Sequence, residues 1–167
     1  SDSRFGPLFH AHLFAGEENS GKLVTQVKQA AARWATDNGQ DLLLVDGPPG
    51  IGCTVIAASS GADLALLVAE PTVSGIHDLD RVLATTDHFG VPAIACINKS
   101  DINPHRSAEI QAACEARGVP VVGMIPFDLT VVEALVQGKP VTTYAPERAV
   151  SHELEKMWQG VERALAA

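Results

Sequence analysis

Between Asp46 and Cys53 the chain runs Asp-Gly-Pro-Pro-Gly-Ile-Gly-Cys, directly after the apolar run Leu42–Val45. An Asp closing a buried strand is costly unless it has a partner or a task. The two prolines and three glycines behind it make a stiff, sharply turning loop whose backbone is open to close approach. A carboxylate in this place can hold the water shell of Mg2+, and a following glycine lets a backbone N–H approach a γ-phosphate. The plainer reading is a tight βα turn in which Asp46 caps the next helix.

A second polar group, Asn98-Lys99-Ser100-Asp101, follows the apolar run Ala93–Ile97. Asn donates and accepts at once and can read a purine edge, the Lys stem can lie across a ring face, and Asp can accept two N–H bonds from guanine. Asn-Lys-x-Asp is also the base-recognition string of GTPases. The competing reading is an Asx-type turn ahead of Pro104. Pro126-Phe127-Asp128 follows the run Val121–Ile125, with Asp128 equally open to an N-cap role. Near the N-terminus, Gly16 to Lys22 fits G-x-x-x-x-G-K of a phosphate loop. Leu23 stands where Ser or Thr would ligate Mg2+, and Glu17 and Glu18 would face a triphosphate. The favoured reading there is a helix start capped by Asn19 or Ser20. His10 and His12 share one strand face but lack a third metal ligand, so they read as an exposed edge pair.

These groups need elements to hold them. Leu8–Phe14 alternates apolar and polar like a half-exposed strand. The runs Leu42–Val45, Leu64–Ala69, Ala93–Ile97 and Val121–Ile125 suit strands buried on both faces. Helical spacing recurs over Ser20–Trp34, Val73–Phe89, Arg106–Ala116, Leu129–Gln137 and Val150–Leu165, with Gly90 and Gly118 placed as C-terminal stops. Strands alternating with helices predict one α/β domain over residues 1–167, a doubly wound, mainly parallel sheet with helices on both faces. Ligands in such sheets bind outside the C-terminal strand ends, where the polar groups fall. The last helix mixes Glu153, Glu155 and Glu162 with Lys156 and Arg163, so its apolar face is expected to pack on the domain rather than on a membrane.

The composition narrows the classes. With 167 residues and 46% hydrophobic content, the chain can bury a core. A net charge of −8 argues against nucleic-acid and anionic-membrane surfaces. The three cysteines are odd in number and lack a C-x-x-C, which argues against a disulfide framework and points to a reducing, cytoplasmic setting. Cys53 falls at a helix start, whereas Cys96 and Cys114 read as small core residues. No signal peptide or membrane-spanning run is apparent. The chain opens without Met, and the expectation is that it continues a longer protein.

Leu42 to Cys53 resembles switch II of the MinD/ParA/Mrp ATPases of the SIMIBI class. The likeness continues in order through Ala62-Asp63-Leu64, Val68 to Thr72, Ile97 to Asp101 and Gly123 to Asp128. Arg4 to Leu8 and Gly16 to Leu23 look similar to the branch with a ferredoxin domain inserted in the first half of the fold. The resemblance implies a cytoplasmic ATPase that hydrolyses ATP slowly between two monomers and switches a partner interaction, linked to iron–sulfur or electron-transfer chemistry. It implies that Asp46 orders Mg2+, Gly50 senses the γ-phosphate, Asn98 contacts adenine, and Pro126 and Asp128 form the other wall of the base pocket, with Lys99 and Asp101 counted among the nucleotide-binding candidates. Lys22 would approach phosphate. The main phosphate loop and any iron–sulfur cluster would lie upstream of this chain, leaving the chain alone weak or inactive. A sheet short of the phosphate-loop strand is expected to expose apolar surface and self-associate. Two alternatives remain: a SIMIBI-type GTPase, suggested by Asn98-Lys99-x-Asp101, and a non-catalytic α/β interaction domain.

Overall fold

The computed structural model describes residues 2–3, 6–11, 21–48, 50 and 52–167. It divides into two compact units, Ser1–Ala62 and Asp63–Ala167.

In the first unit, β1 (Asp2–Ser3) and β2 (Gly6–Pro7) form a short antiparallel pair. Helix α1 (Gly21–Asp37) lies against α2 (Cys53–Ser59). Lys28 Nζ donates to the carbonyls of Ala58 at 2.7 Å and Ser60 at 2.6 Å, meeting acceptors that α2 cannot satisfy itself. The Phe9 and Trp34 rings meet at 6.0 Å.

Two expectations fail in this unit. Residues 40–48 form no strand, and Leu42 and Leu44 are 51% and 78% exposed. An apolar run becomes a strand only when a neighbour takes its N–H and C=O groups, and among the described residues none pairs with it. Leu8 to Ala11 is likewise not extended into a strand. The rest of that expected strand, His12 to Phe14, lies outside the described residues, as do Gly16 to Ser20, Pro49 and Ile51.

The second unit follows the expected pattern closely. Strands β3 (Ala65–Ala69), β4 (Ala93–Asn98) and β5 (Val121–Ile125) are parallel in the order β3-β4-β5. Helices α3 (Val73–His88) and α4 (Pro104–Ala116) alternate with them, and α5 (Thr130–Val136), α6 (Val141–Tyr144) and α7 (Ala149–Leu165) follow. Side chains of β4 point alternately to two cores. Ala95 and Ile97 pack with Leu79, Leu83, Ile110 and Cys114 under α3 and α4. Cys96 packs with Ile125, Ala134, Val141 and Val150 under the later helices. The sheet therefore carries helices on both faces, as the alternation of elements predicts.

Each connection has a local cause. Thr72 Oγ1 caps α3 by accepting from Gly75 N at 3.0 Å. Asn103 Oδ1 caps α4 by accepting from Arg106 N at 3.1 Å, with Pro104 opening the helix. Helix α7 comes very close to β5, because a Cβ on Gly160 would lie 2.6 Å from Val122 Cβ. Cys96 and Cys114 are buried, as the sequence suggests, while Cys53 is exposed. Burial, aided by the charge of Glu153, pushes the Cys96 thiol up to about 11.

Candidate functional site

The three parallel strands end on one side, and their following loops are tied to one another. Asn98 closes β4, half-buried, and its side-chain amide has no hydrogen-bond partner among the described residues. Lys99 follows with φ 54, the left-handed region, and is the one non-glycine residue there among those described. A side chain in that region costs roughly 1–2 kcal/mol. Ser100 then turns the chain back onto β5: its N–H donates to Ile125 O at 2.9 Å, and Ser107 Oγ donates to Ser100 O at 2.7 Å.

Asp101 joins the loops after β4 and β5. Its Oδ1 accepts from Phe127 N at 2.7 Å. Asp101, expected as a base contact, thus already has one oxygen committed to a backbone latch. Asp128 is committed further. Its Oδ1 accepts from Thr130 N at 2.9 Å, and both oxygens receive Arg148, with Nε to Oδ2 and Nη2 to Oδ1 at 3.0 Å each. The Thr130 backbone N–H first, and then the Arg148 guanidinium, hold this carboxyl below its ordinary value. Asp128 is thus a loop-organising residue in the α5 start, close to the capping alternative, although the helix's own N-cap is Leu129.

On the other flank of β4, Lys99 Nζ meets Glu70 Oε1 of the β3–α3 loop at 2.7 Å. The structure therefore brings Asn98, Lys99, Asp101, Pro126 and Asp128 together at one sheet end. It adds Glu70, Phe127 and Arg148, which sequence reasoning passed over. Glu70 lay in a quoted motif, but its partner is 29 positions away, so only the parallel register of β3 and β4 reveals the pair.

Lys22, Asp46 and Gly50 belong to the first unit. Lys22 is exposed in the first turn of α1, but the residues 16–20 of the possible phosphate loop lie outside the described residues. Asp46 is exposed, with no partner among the described residues, and does not cap α2, whose N-cap is Gly52 without a side-chain bond. An open carboxylate of this kind suits Mg2+, which takes one or two carboxylates and fills its shell with water and phosphate oxygens. Gly50 has φ 89, a conformation that admits little besides glycine. For an iron–sulfur cluster the fit fails: among the described residues no group of three His, Cys, Asp or Glu side chains could hold a metal, and two of the three cysteines are core. His10 is exposed and His12 lies outside the described residues.

A parallel sheet with helices on both faces and polar loops at its C-terminal strand ends is an open α/β architecture, whose ligand sites lie at those ends. A family model described as ParA, NUBPL iron-transfer P-loop NTPase, matches residues 19–162. The chain belongs to that family, within the MinD/ParA-type SIMIBI ATPases.

Relatives include an uncharacterized protein of Methanocaldococcus jannaschii, 36% identical over 58% of this chain and 34% of its own. An uncharacterized ATP-binding protein of that organism is 31% identical over 64% of this chain and 40% of its own. An Arabidopsis thaliana mitochondrial iron–sulfur protein required for NADH dehydrogenase is 26% identical over 75% of this chain and 43% of its own. The chain thus spans well under half the length of these relatives.

Among solved structures, the cell division ATPase MinD of Pyrococcus furiosus superposes with a TM-score of 0.70 at 23% identity. That match covers 86% of this chain and 59% of that one. The Pyrococcus horikoshii MinD complexed with Mg-ADP gives 0.69 at 22% identity, covering 85% and 56%. At such identity these likenesses speak for the fold. No helix among the described residues is long and apolar enough to cross a membrane.

Proposed function

We propose that the chain is the base-reading and switch portion of an ATPase whose nucleotide state switches a partner interaction. The observation that carries this is the half-buried, unpartnered Asn98 amide at the end of β4, on a loop latched to both neighbours. An amide in that position donates and accepts together, matching the donor and acceptor edge of adenine. Guanine recognition would ask a carboxylate to take two N–H bonds at once. Asp101 has one oxygen on Phe127 N, and Asp128 has both on Arg148, which favours ATP over GTP.

In this reading Pro126 flanks the base and the Lys99 stem lies against its face. Asp46 orders the water shell of Mg2+, which supplies charge neutralisation to the phosphates when bound. Gly50 offers its N–H to the γ-phosphate, and Lys22 approaches phosphate charge. The whole protein works as a homodimer. A redox or iron–sulfur partner agrees with the family's iron-transfer description and with the Arabidopsis relative's name.

The test is Mg2+-dependent ATP hydrolysis by the intact gene product and by its Asp46→Asn variant. The reading expects ATP turnover that falls about 10- to 100-fold in the variant, the usual effect of removing an outer-shell metal partner. ATP hydrolysis absent from the folded wild-type protein, or untouched by Asp46→Asn, counts against it.

A further inference from the structure

Lys99 carries backbone strain that its ion pair does not offset. Its φ of 54 costs a non-glycine residue roughly 1–2 kcal/mol. The Glu70 contact at 2.7 Å joins side chains 40% and 44% exposed, and ion pairs so open to water typically return about 0.2–1 kcal/mol. Strain that persists beside a half-buried, unpartnered amide is the pattern of a functional site rather than of a stability device.

The other end of the pair is fixed with equal care. Pro71 follows Glu70 and limits its backbone. The Glu70 carbonyl then sits so tightly over α3 that a Cβ on Gly75 would lie 2.2 Å from its oxygen. Gly75 N donates to Thr72 Oγ1, and Thr72 N–H meets Glu70 O at 2.7 Å. Glu70 is thus presented from a turn with little freedom. The ammonium of Lys99 is drawn toward β3, which fixes the direction of the four-carbon stem leaving the Asn98 loop.

We propose that Glu70 is a positioning residue of the base site: by anchoring the Lys99 ammonium it holds the Lys99 stem as the wall against which the purine lies. This inference rests on the adenine reading above. In this role Glu70 acts on the base through Lys99 and not on phosphate, so its loss should weaken recognition of the base and spare recognition of the phosphate chain.

The experiment measures binding of Mg·ATP and of Mg·tripolyphosphate to the intact gene product by calorimetry. The proteins are wild type, Glu70→Gln, Glu70→Asp, Lys99→Met, the Glu70→Gln/Lys99→Met pair and Asn98→Ala. The expected result is ATP binding weakened about three- to fivefold by Glu70→Gln. Lys99→Met should match it, the double variant should lose no more than either single, and Glu70→Asp should recover part of the loss. Tripolyphosphate binding should stay at the wild-type level throughout.

If Glu70→Gln binds ATP like wild type while Asn98→Ala loses affinity, the Glu70 role is overturned and the base reading stands. Equal losses for ATP and tripolyphosphate would also overturn it, by marking Glu70 as a general structural residue. An Asn98→Ala protein that binds ATP normally would overturn the base reading and the Glu70 role with it.

Discussion

The carboxylates around Asn98 share a residue type but not a job. Asp101 and Asp128 both belong to the strings that resemble base-recognition motifs, yet each spends acceptor capacity inside the protein. Asp128 lies in a pocket of backbone N–H and guanidinium, with 13% of its side chain exposed. Its folded-state carboxyl is held below the unfolded value, so the charged form favours the folded protein. That contribution is complete above the unfolded value of about 3.9 and is lost as the pH falls through the lower, folded value. Asp128→Asn should therefore lower the melting temperature at pH 7, with the gap to wild type narrowing as the pH drops below about 4. Thermal melts of both proteins across that range check this; a gap that is constant or widens toward acid would show that the carboxylate charge held by Thr130 N–H and Arg148 is not its source.

At the scale of elements, the tightest packing lies between α7 and β5. Alanine at position 160 would set its Cβ 2.6 Å from the branched Val122 side chain. Overpacking of this kind costs about 1–3 kcal/mol, while replacing a helical glycine returns up to about 1. Gly160→Ala should thus be net destabilising and lower the urea midpoint without changing the slope; an unchanged or higher midpoint would mean that α7 rides further from the sheet.

The elements of the second unit were legible because their signals are local. The runs Leu64–Ala69, Ala93–Ile97 and Val121–Ile125 are apolar and bounded by turn residues, and Gly90 and Gly118 stop their helices with φ 63 and 68. The failure at Leu42–Val45 has a non-local cause. Its residues have the apolar pattern of a strand, but the pattern cannot state whether a neighbouring strand is present to pair with it. The same limit hid Glu70 and Arg148. Each matters through a partner 29 or 20 positions away, and no motif spans that separation. Short α6 was missed because Val141–Tyr144 is too brief for helical periodicity.

For the molecule as a whole, apolar surface is the prominent feature. In the first unit Leu42 and Leu44 are open; in the second, Val68 on the outer strand β3 is 61% exposed, and Leu129, Leu135 and Val136 are exposed on and beside α5. A strand edge without a partner and open apolar side chains favour association. The isolated chain should elute from size-exclusion chromatography larger than its 17.5 kDa, increasingly so at higher concentration. A sharp monomer peak independent of concentration would show that these surfaces are covered within one chain.

Adenine reading by the Asn98 loop is tested by calorimetric titration of the intact gene product with Mg·ATP and Mg·GTP, repeated on Asn98→Ala. ATP should bind at least about tenfold tighter than GTP, and removing the amide should cost about tenfold in ATP affinity. Equal affinity for the two nucleotides, a preference for GTP, or an Asn98→Ala protein that binds ATP like wild type would contradict it.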